Sequence, residues 1–245
     1  LLNHTSGIPD YLGSGSLLGA AGGIPEFFLE PRTPADILAQ MPSREPVFDP
    51  GTEQRYSNTN GLLVGEVIKE ITGQTLGKVL DERIVVPLGL ERTYLFGRQT
   101  LDRPRARGYC GNPEWGAAEG ELIDCTFADD ALPDSADGSI VSTAAELLRY
   151  HRALRNGELL STESLTLMRR VEPGLDNGLG YLVMSGPRGA HEGNVGRALG
   201  HVAASVYWLD LDLYVVMMLN RGDGPLPLQR LLELSLGPES AVRPV

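Results

Sequence analysis

An α+β fold is predicted from three features of the sequence. Helix-period apolar patterns recur between residues 61 and 170, short runs rich in Val, Tyr and Leu follow Gly178, and the loops between those runs are too short for parallel crossovers. Helices first and an antiparallel meander afterwards is the order of an α+β protein, not of a doubly wound one. One domain is expected over 1–245, with a helical lobe at roughly 1–175 and antiparallel strands plus a terminal helix at roughly 176–240.

Residues 1–56 are rich in Gly, Pro and Ser, and a short helix is expected at Thr33–Gln40, capped by Thr33 with Pro34 in the first position. Leu62, Leu63, Val64, Val67, Ile68 and Ile71 recur at three- and four-residue intervals, so Gly61–Ile71 reads as an amphipathic helix that Gly73 stops. A second helix runs from Thr75 to Val86 and ends at Pro87 before the turn Leu88-Gly89-Leu90. Residues 97–137 lack a period, carry both cysteines and read as an irregular excursion with short strands. The capping-box spacing Thr143 to Glu146 starts a helix that stops near Asn156-Gly157, and Ser161–Arg170 is helical as well. Strands are expected at Tyr181–Met184, Val202–Leu209 and Leu213–Leu219, a loop at Asn194–Leu199, and a closing helix at Leu226–Leu236.

The 245 residues are 42% hydrophobic and 22% charged, enough to bury a core. A net charge of −11 repels phosphate backbones and anionic lipid surfaces, which argues against a nucleic-acid partner. No apolar run reaches the ~18–20 residues of a membrane span. The four histidines have no Cys or second-His spacing of the finger or metalloprotease kind, so no metal centre is expected, and no motif calls for an organic cofactor. Cys110 and Cys125 fit one disulfide or two thiols equally well.

No serine has Gly at both −2 and +2, so the hydrolase nucleophile elbow is absent. The chain has two lysines, Lys69 and Lys78, and neither has Ser three residues before it. Tyr56-Ser57-Asn58 lies between the turn at Pro50-Gly51 and the first strong helix, where a loop can present side chains on a rigid support. Tyr56 can carry a proton if positive charge lowers its pKa, and the Asn58 amide can bind a substrate carbonyl; the alternative is an Asn turn beside a core tyrosine. His191-Glu192-Gly193 offers a histidine for a hydroxyl proton network and a glycine against which a substrate can lie, with His201 competing for the histidine's role.

Several segments occur in the order found in one superfamily: Leu1-Leu2-Asn3-His4-Thr5-Ser6-Gly7-Ile8, Pro50-Gly51 through Tyr56-Ser57-Asn58-Thr59-Asn60 to Thr72-Gly73, Pro87-Leu88-Gly89-Leu90 with Thr93, Asp137-Gly138-Ser139 with Ser142-Thr143, and Gly178-Leu179-Gly180-Tyr181. Over nearly its whole length the chain resembles the serine β-lactamase-like, penicillin-binding-protein superfamily, in its branch of class C β-lactamases and Streptomyces-type D-alanyl-D-alanine carboxypeptidases. The resemblance implies a β-lactamase-like α+β fold and a serine hydrolase working through an acyl-enzyme on an ester, an amide or a D-amino-acid peptide. It implies Tyr56 as proton shuttle, Asn58 as ligand of the substrate's acyl-side carbonyl, His191 as the residue opening the third motif, and the Asn194 N–H as half of an oxyanion hole.

The acylated serine and its lysine belong, by the same resemblance, to a helix ahead of the segment matching Leu1–Gly7. The first strands and that helix are therefore expected either to lie on a separate N-terminal segment present elsewhere or to be lost from a truncated fragment, and without them apolar surface is exposed. Glu192 stands where relatives carry a small or hydroxylic residue; facing the cleft it would disfavour a substrate carboxylate, and facing outward it would pair with Arg188 or Arg197. The competing function is a catalytically silent member binding a peptide or glycan in the same cleft. The resemblance favours an extracytoplasmic or secreted setting.

Overall fold

A computed structural model describes residues 1–12, 31–39, 41, 45–97, 100, 102–111, 117–126, 128, 132–175, 177–186 and 188–223. The helix expected at Leu226–Leu236 lies outside the described residues. Six α-helices and eight strands follow in the order α1 (Pro34–Leu38), α2 (Asn58–Thr72), α3 (Leu76–Leu80), α4 (Val86–Leu88), β1 (Tyr94–Leu95), β2 (Tyr109–Cys110), β3 (Ile123–Asp124), β4 (Ile140–Val141), α5 (Ala144–Arg155), α6 (Thr162–Arg169), β5 (Leu182–Gly186), β6 (Gly189–Arg197), β7 (Val202–Trp208) and β8 (Leu213–Leu219), counted among the described residues.

Local chemistry explains the helix ends. Thr33 caps α1 through its hydroxyl, which accepts from the Asp36 N–H, while the Asp36 carboxylate accepts from the Thr33 N–H at 2.8 Å. α2 begins three residues before the expected Gly61, because its first turn is held by contacts from a distant segment and not by apolar spacing. Gly73 ends it in the left-handed conformation at φ 65°.

Pro87 does not end the next helix as expected. A π-helical stretch at Asp81–Val85 widens the ladder so that Val86 N–H reaches the Asp81 carbonyl, Pro87 sits inside α4, and Gly89 at φ 61° makes the stop. The capping box expected at α5 forms by half. Thr143 accepts from the Glu146 N–H, but the Glu146 carboxylate accepts instead from Arg92 N–H at 3.0 Å and from the Thr93 hydroxyl at 2.6 Å, tying α5 to the segment before β1.

The four long strands form one antiparallel sheet in the order β5-β6-β7-β8. Asn194–Arg197, expected in a loop, belong to β6. Gly189, Gly193 and Gly196 hide its period, and only pairing with β5 on one side and β7 on the other makes it a strand. Gly193, at φ 147°, runs so close to β7 that a Cβ would overlap the Ser205 carbonyl oxygen. The glycine expected to let a substrate lie against the backbone is thus required first by the neighbouring strand.

Alternation along β7 separates the two faces. Ala204, Val206 and Trp208 pack with Leu211, Leu213 and Val215 on one side, while Ser205 and Tyr207 meet α5 on the other. Leu154 of α5, Leu165 of α6 and the buried Tyr181 form the cluster that seats both helices on the sheet.

Cys110 and Cys125, each at most 2% exposed, form a disulfide across the β2–β3 pair with Cα atoms 6.1 Å apart. The bridge closes a loop of 15 residues, for which the loop-closure entropy removed from the unfolded chain is worth about 3 kcal/mol. Reduction is therefore expected to lower the free energy of unfolding by about that amount, measured from urea transitions with and without reductant.

Candidate active site

The first turn of α2 is built by residues 48 positions away in sequence. Tyr11 N–H donates to the Thr59 hydroxyl at 3.0 Å, and that hydroxyl donates to the Pro9 carbonyl at 2.7 Å. Between them the Asp10 carboxylate accepts from the Asn58 backbone N–H at 3.2 Å and from Asn58 Nδ2 at 3.1 and 3.2 Å. Ser57, the N-cap residue, makes no capping bond with its own side chain. Asn58 Oδ1, facing the other way, accepts the Tyr56 hydroxyl at 3.0 Å.

A second chain of bonds fixes the face of Tyr56. Ser6 donates to Asn60 Oδ1 at 2.7 Å, which turns Asn60 Nδ2 toward His4 Nδ1 at 3.2 Å; the Ser57 N–H lies 3.3 Å from the same nitrogen. Two donors aimed at Nδ1 require that it accept, so His4 is a neutral ring with its proton on Nε2. Burial lowers its pKa in the same sense. The imidazole lies against the Tyr56 ring, centroids 4.4 Å apart, and His4 itself adopts φ 58°.

The electrostatics differ from expectation. Tyr56 is 61% exposed as a residue, yet local desolvation at its hydroxyl, then Asp137 and Asp10, raise its pKa instead of lowering it. Asp137 is held by the Tyr11 hydroxyl at 2.5 Å and by Ser135, and burial raises its carboxyl pKa above the ordinary range. Tyr56 and Asn58 therefore sit beside two carboxylates and a neutral imidazole.

The third motif runs along β6. Asn194 Nδ2 donates to the Gly180 carbonyl at 3.0 Å, and Gly180 N–H donates to the Leu2 carbonyl at 2.9 Å, which connects the far end of β6 to the segment carrying His4. His191 lies three residues back along β6, paired with Met184 and Trp208. Its contacts are the Gly189 carbonyl at 3.3 Å and the Trp208 ring, stacked at 5.4 Å, and not Tyr56 or Asn58. His201 lies at the end of the β6–β7 hairpin against Gly108.

Glu192 corrects both expectations made for it. It is 4% exposed, and its Oε1 accepts from Arg155 of α5 and from Arg169 of α6, the latter at 2.8 Å, so it neither opens onto a substrate nor pairs with Arg188 or Arg197. Strand alternation is the reason: the face of β6 that holds Glu192 packs on the helices, and His191 and Gly193 take the other. Beside it His151 links α5 to Ser205 at 2.8 Å and to the Tyr181 hydroxyl at 2.7 Å. Burial, then Arg155 and Arg169, lower the His151 pKa to about 4. Burial pushes Tyr181 up to about 12.

Sequence reasoning missed His4, Asp10 and Asn60 as site residues. The segment Leu1–Ile8 carried family likeness, but Asp10 meets Asn58 only once the chain is folded. Among the described residues, no group of three or more His, Cys, Asp or Glu side chains could hold a metal ion, and no helix is long and apolar enough to cross a membrane.

A helical layer on an antiparallel sheet, with a Tyr-x-Asn turn at a helix N-terminus, is the arrangement of the β-lactamase-like class of proteins. The Beta-lactamase family model matches residues 1–235, and the chain belongs to that family. Penicillin-binding protein 4* of Bacillus subtilis is 24% identical over 248 residues, covering 90% of this chain and 50% of that protein. A D-aminopeptidase of Brucella anthropi is 33% identical over 101 residues, 41% of this chain and 18% of that protein. The crystal structure of a D-stereospecific amidohydrolase from Streptomyces superposes with a TM-score of 0.75 at 27% identity, over 95% of this chain and 69% of that one. The chain thus spans half or less of the curated relatives it matches.

Two measurements test the buried network. The unfolded His151 titrates near its ordinary 6.5, whereas the native ring stays neutral down to about 4. Its contribution to stability is full above about 6.5, falls by at most about 1.4 kcal/mol per pH unit as the pH drops to about 4, and is level below. The difference between wild-type and His151→Gln unfolding curves should show that window. Glu192→Gln removes the counter-charge of two guanidinium groups and is expected to cost about 3 kcal/mol, read from the urea midpoint.

Proposed function

We propose that this chain carries the proton-transfer and substrate-holding side of a penicillin-binding-protein-like serine hydrolase. The observation that carries the reading is the Tyr56 hydroxyl bonded to Asn58 Oδ1 at 3.0 Å, on the N-terminal turn of α2 in a member of the Beta-lactamase family. In the proposed reaction a serine Oγ attacks the scissile carbonyl, and its proton passes through the Tyr56 hydroxyl to the departing amine or alkoxide. Water then cleaves the acyl-enzyme and regenerates the serine. Asn58 and the Asn194 backbone N–H hold the acyl side. The serine and the lysine that lowers the Tyr56 pKa are supplied by residues other than these 245, which contain no Ser-x-x-Lys.

The substrate class we propose is an amide, an ester or a D-amino-acid peptide with an amino group near the scissile bond. Asp10 and Asp137 beside Tyr56 favour a cationic over an anionic substrate end, which replaces the argument from Glu192. The names of the Brucella D-aminopeptidase and the Streptomyces D-stereospecific amidohydrolase agree with that class. The Cys110–Cys125 disulfide supports an oxidising, extracytoplasmic setting.

The raised Tyr56 pKa favours one alternative, a silent member that binds a peptide or glycan in the same cleft. Treating the natural protein with a fluorescent fluorophosphonate or penicillin, then locating the modified peptide, separates the two. Labelling of a serine supports the hydrolase; a protein that binds peptide or glycan but stays unlabelled supports the silent member. In the labelled protein Tyr56→Phe is expected to slow turnover by a factor on the order of 10²–10⁴ with the fold intact, and unchanged turnover would remove Tyr56 from the mechanism.

A further inference from the structure

We infer that Asp10 is a positioning residue for the Tyr56–Asn58 pair: from 48 residues away its carboxylate caps α2 and holds the Asn58 carboxamide with Oδ1 turned to the Tyr56 hydroxyl. The inference deepens the proposed function, since the pair it positions is the one assigned to proton transfer and carbonyl binding.

The geometry leaves one orientation for Asn58. A carboxylate only accepts, so the carboxamide must turn Nδ2 toward Asp10 and Oδ1 away; the flipped amide would set oxygen against oxygen. Oδ1 is then an acceptor for the Tyr56 hydroxyl, whose hydrogen is directed along the 3.0 Å contact. Nδ2 lies at nearly equal distances from both Asp10 oxygens, 3.2 and 3.1 Å, which fits one N–H shared between them and the second N–H left for a carbonyl. The amide thus binds a substrate oxygen with one edge while holding Tyr56 with the other.

Asp10 is itself held at both ends. Its Oδ1 accepts from its own chain at Leu12 N–H, 3.1 Å, and the flanking Pro9 and Tyr11 are pinned to Thr59. The α2 N–H groups are left without a cap by Ser57, so an anion at Asp10 also lies where the helix dipole favours it. A neutral amide at position 10 has the same shape but one acceptor oxygen, and its NH₂ would oppose the Asn58 N–H groups.

The test uses the isotope-labelled chain and the natural protein side by side. In wild type the Asn58 side-chain NH₂ protons should exchange at least about tenfold more slowly than those of Asn156, and Asp10→Asn should abolish that protection and move both Asn58 resonances. The Tyr56 phenol, which faces Asp10, Asp137 and the neutral His4, should titrate at lower pH in Asp10→Asn. In the natural protein the same variant should slow acylation by about tenfold to a hundredfold. A helix cap alone would change stability and leave the Asn58 amide orientation where it was; the Tyr56 titration falls in either case, because the Asp10 charge acts on the phenol through space.

Unprotected Asn58 NH₂ protons in wild type overturn the inference without recourse to any variant, and so do unchanged Asn58 resonances in a folded Asp10→Asn. Should the natural protein take up no acylating probe, the hydrolase reading fails while the amide measurements still decide the role of Asp10.

Discussion

One buried carboxylate holds the helical layer to the sheet. Glu192 projects from the middle of β6 and takes guanidinium groups from α5 and α6, while Arg155 lies over the Tyr207 ring at 3.6 Å. A charge that is 4% exposed is tolerable only with such partners, so the register of β6 against both helices is set as soon as the pair forms. Everything else on β6 follows by alternation. His191 stacks on Trp208 on the opposite face, Gly193 closes onto β7, and Asn194 reaches Gly180 beyond the end of the β5 pairing.

The candidate site is electrostatically incomplete in an informative way. A phenol that relays protons needs a cation to draw its pKa down, and the described neighbours of Tyr56 are Asp10, Asp137 and an imidazole held neutral by two donors to Nδ1. Apart from the buried Ser57 hydroxyl, which has no hydrogen-bond partner, the polar groups around it are tightly interlocked, from Ser6 through Asn60 to His4 and from Asp10 through Asn58 to Tyr56. Such an arrangement holds geometry and does nothing by itself to lower the pKa of the phenol.

Most of the architecture was legible in the residues. Thr33, Ser161 and Gly73 mark helix ends by chemistry that acts within one turn, and the runs rich in Val, Tyr and Leu that form β7 and β8 are bounded by local turns. The Asn194–Arg197 end of β6 reads as loop because the glycines of this strand carry no period, and its strand character comes from pairing with β7. Pro87 was read as a stop because the π-helical stretch that absorbs it is a property of the bonded ladder and has no sequence signature.

Of the site, the sequence by itself determined that Tyr56 and Asn58 lie near each other, because residues on either side of an extended Ser57 project to the same side of the chain, and it determined the α+β order through periodicity, which is local. The tertiary structure alone decided three things. It gave α2 its cap from Asp10, it turned Glu192 inward to Arg155 and Arg169, and it tied Asn194 through Gly180 to Leu2. Each depends on charges and hydrogen-bond partners dozens of residues apart, and a carboxylate has no preferred partner until folding removes the water that otherwise solvates it.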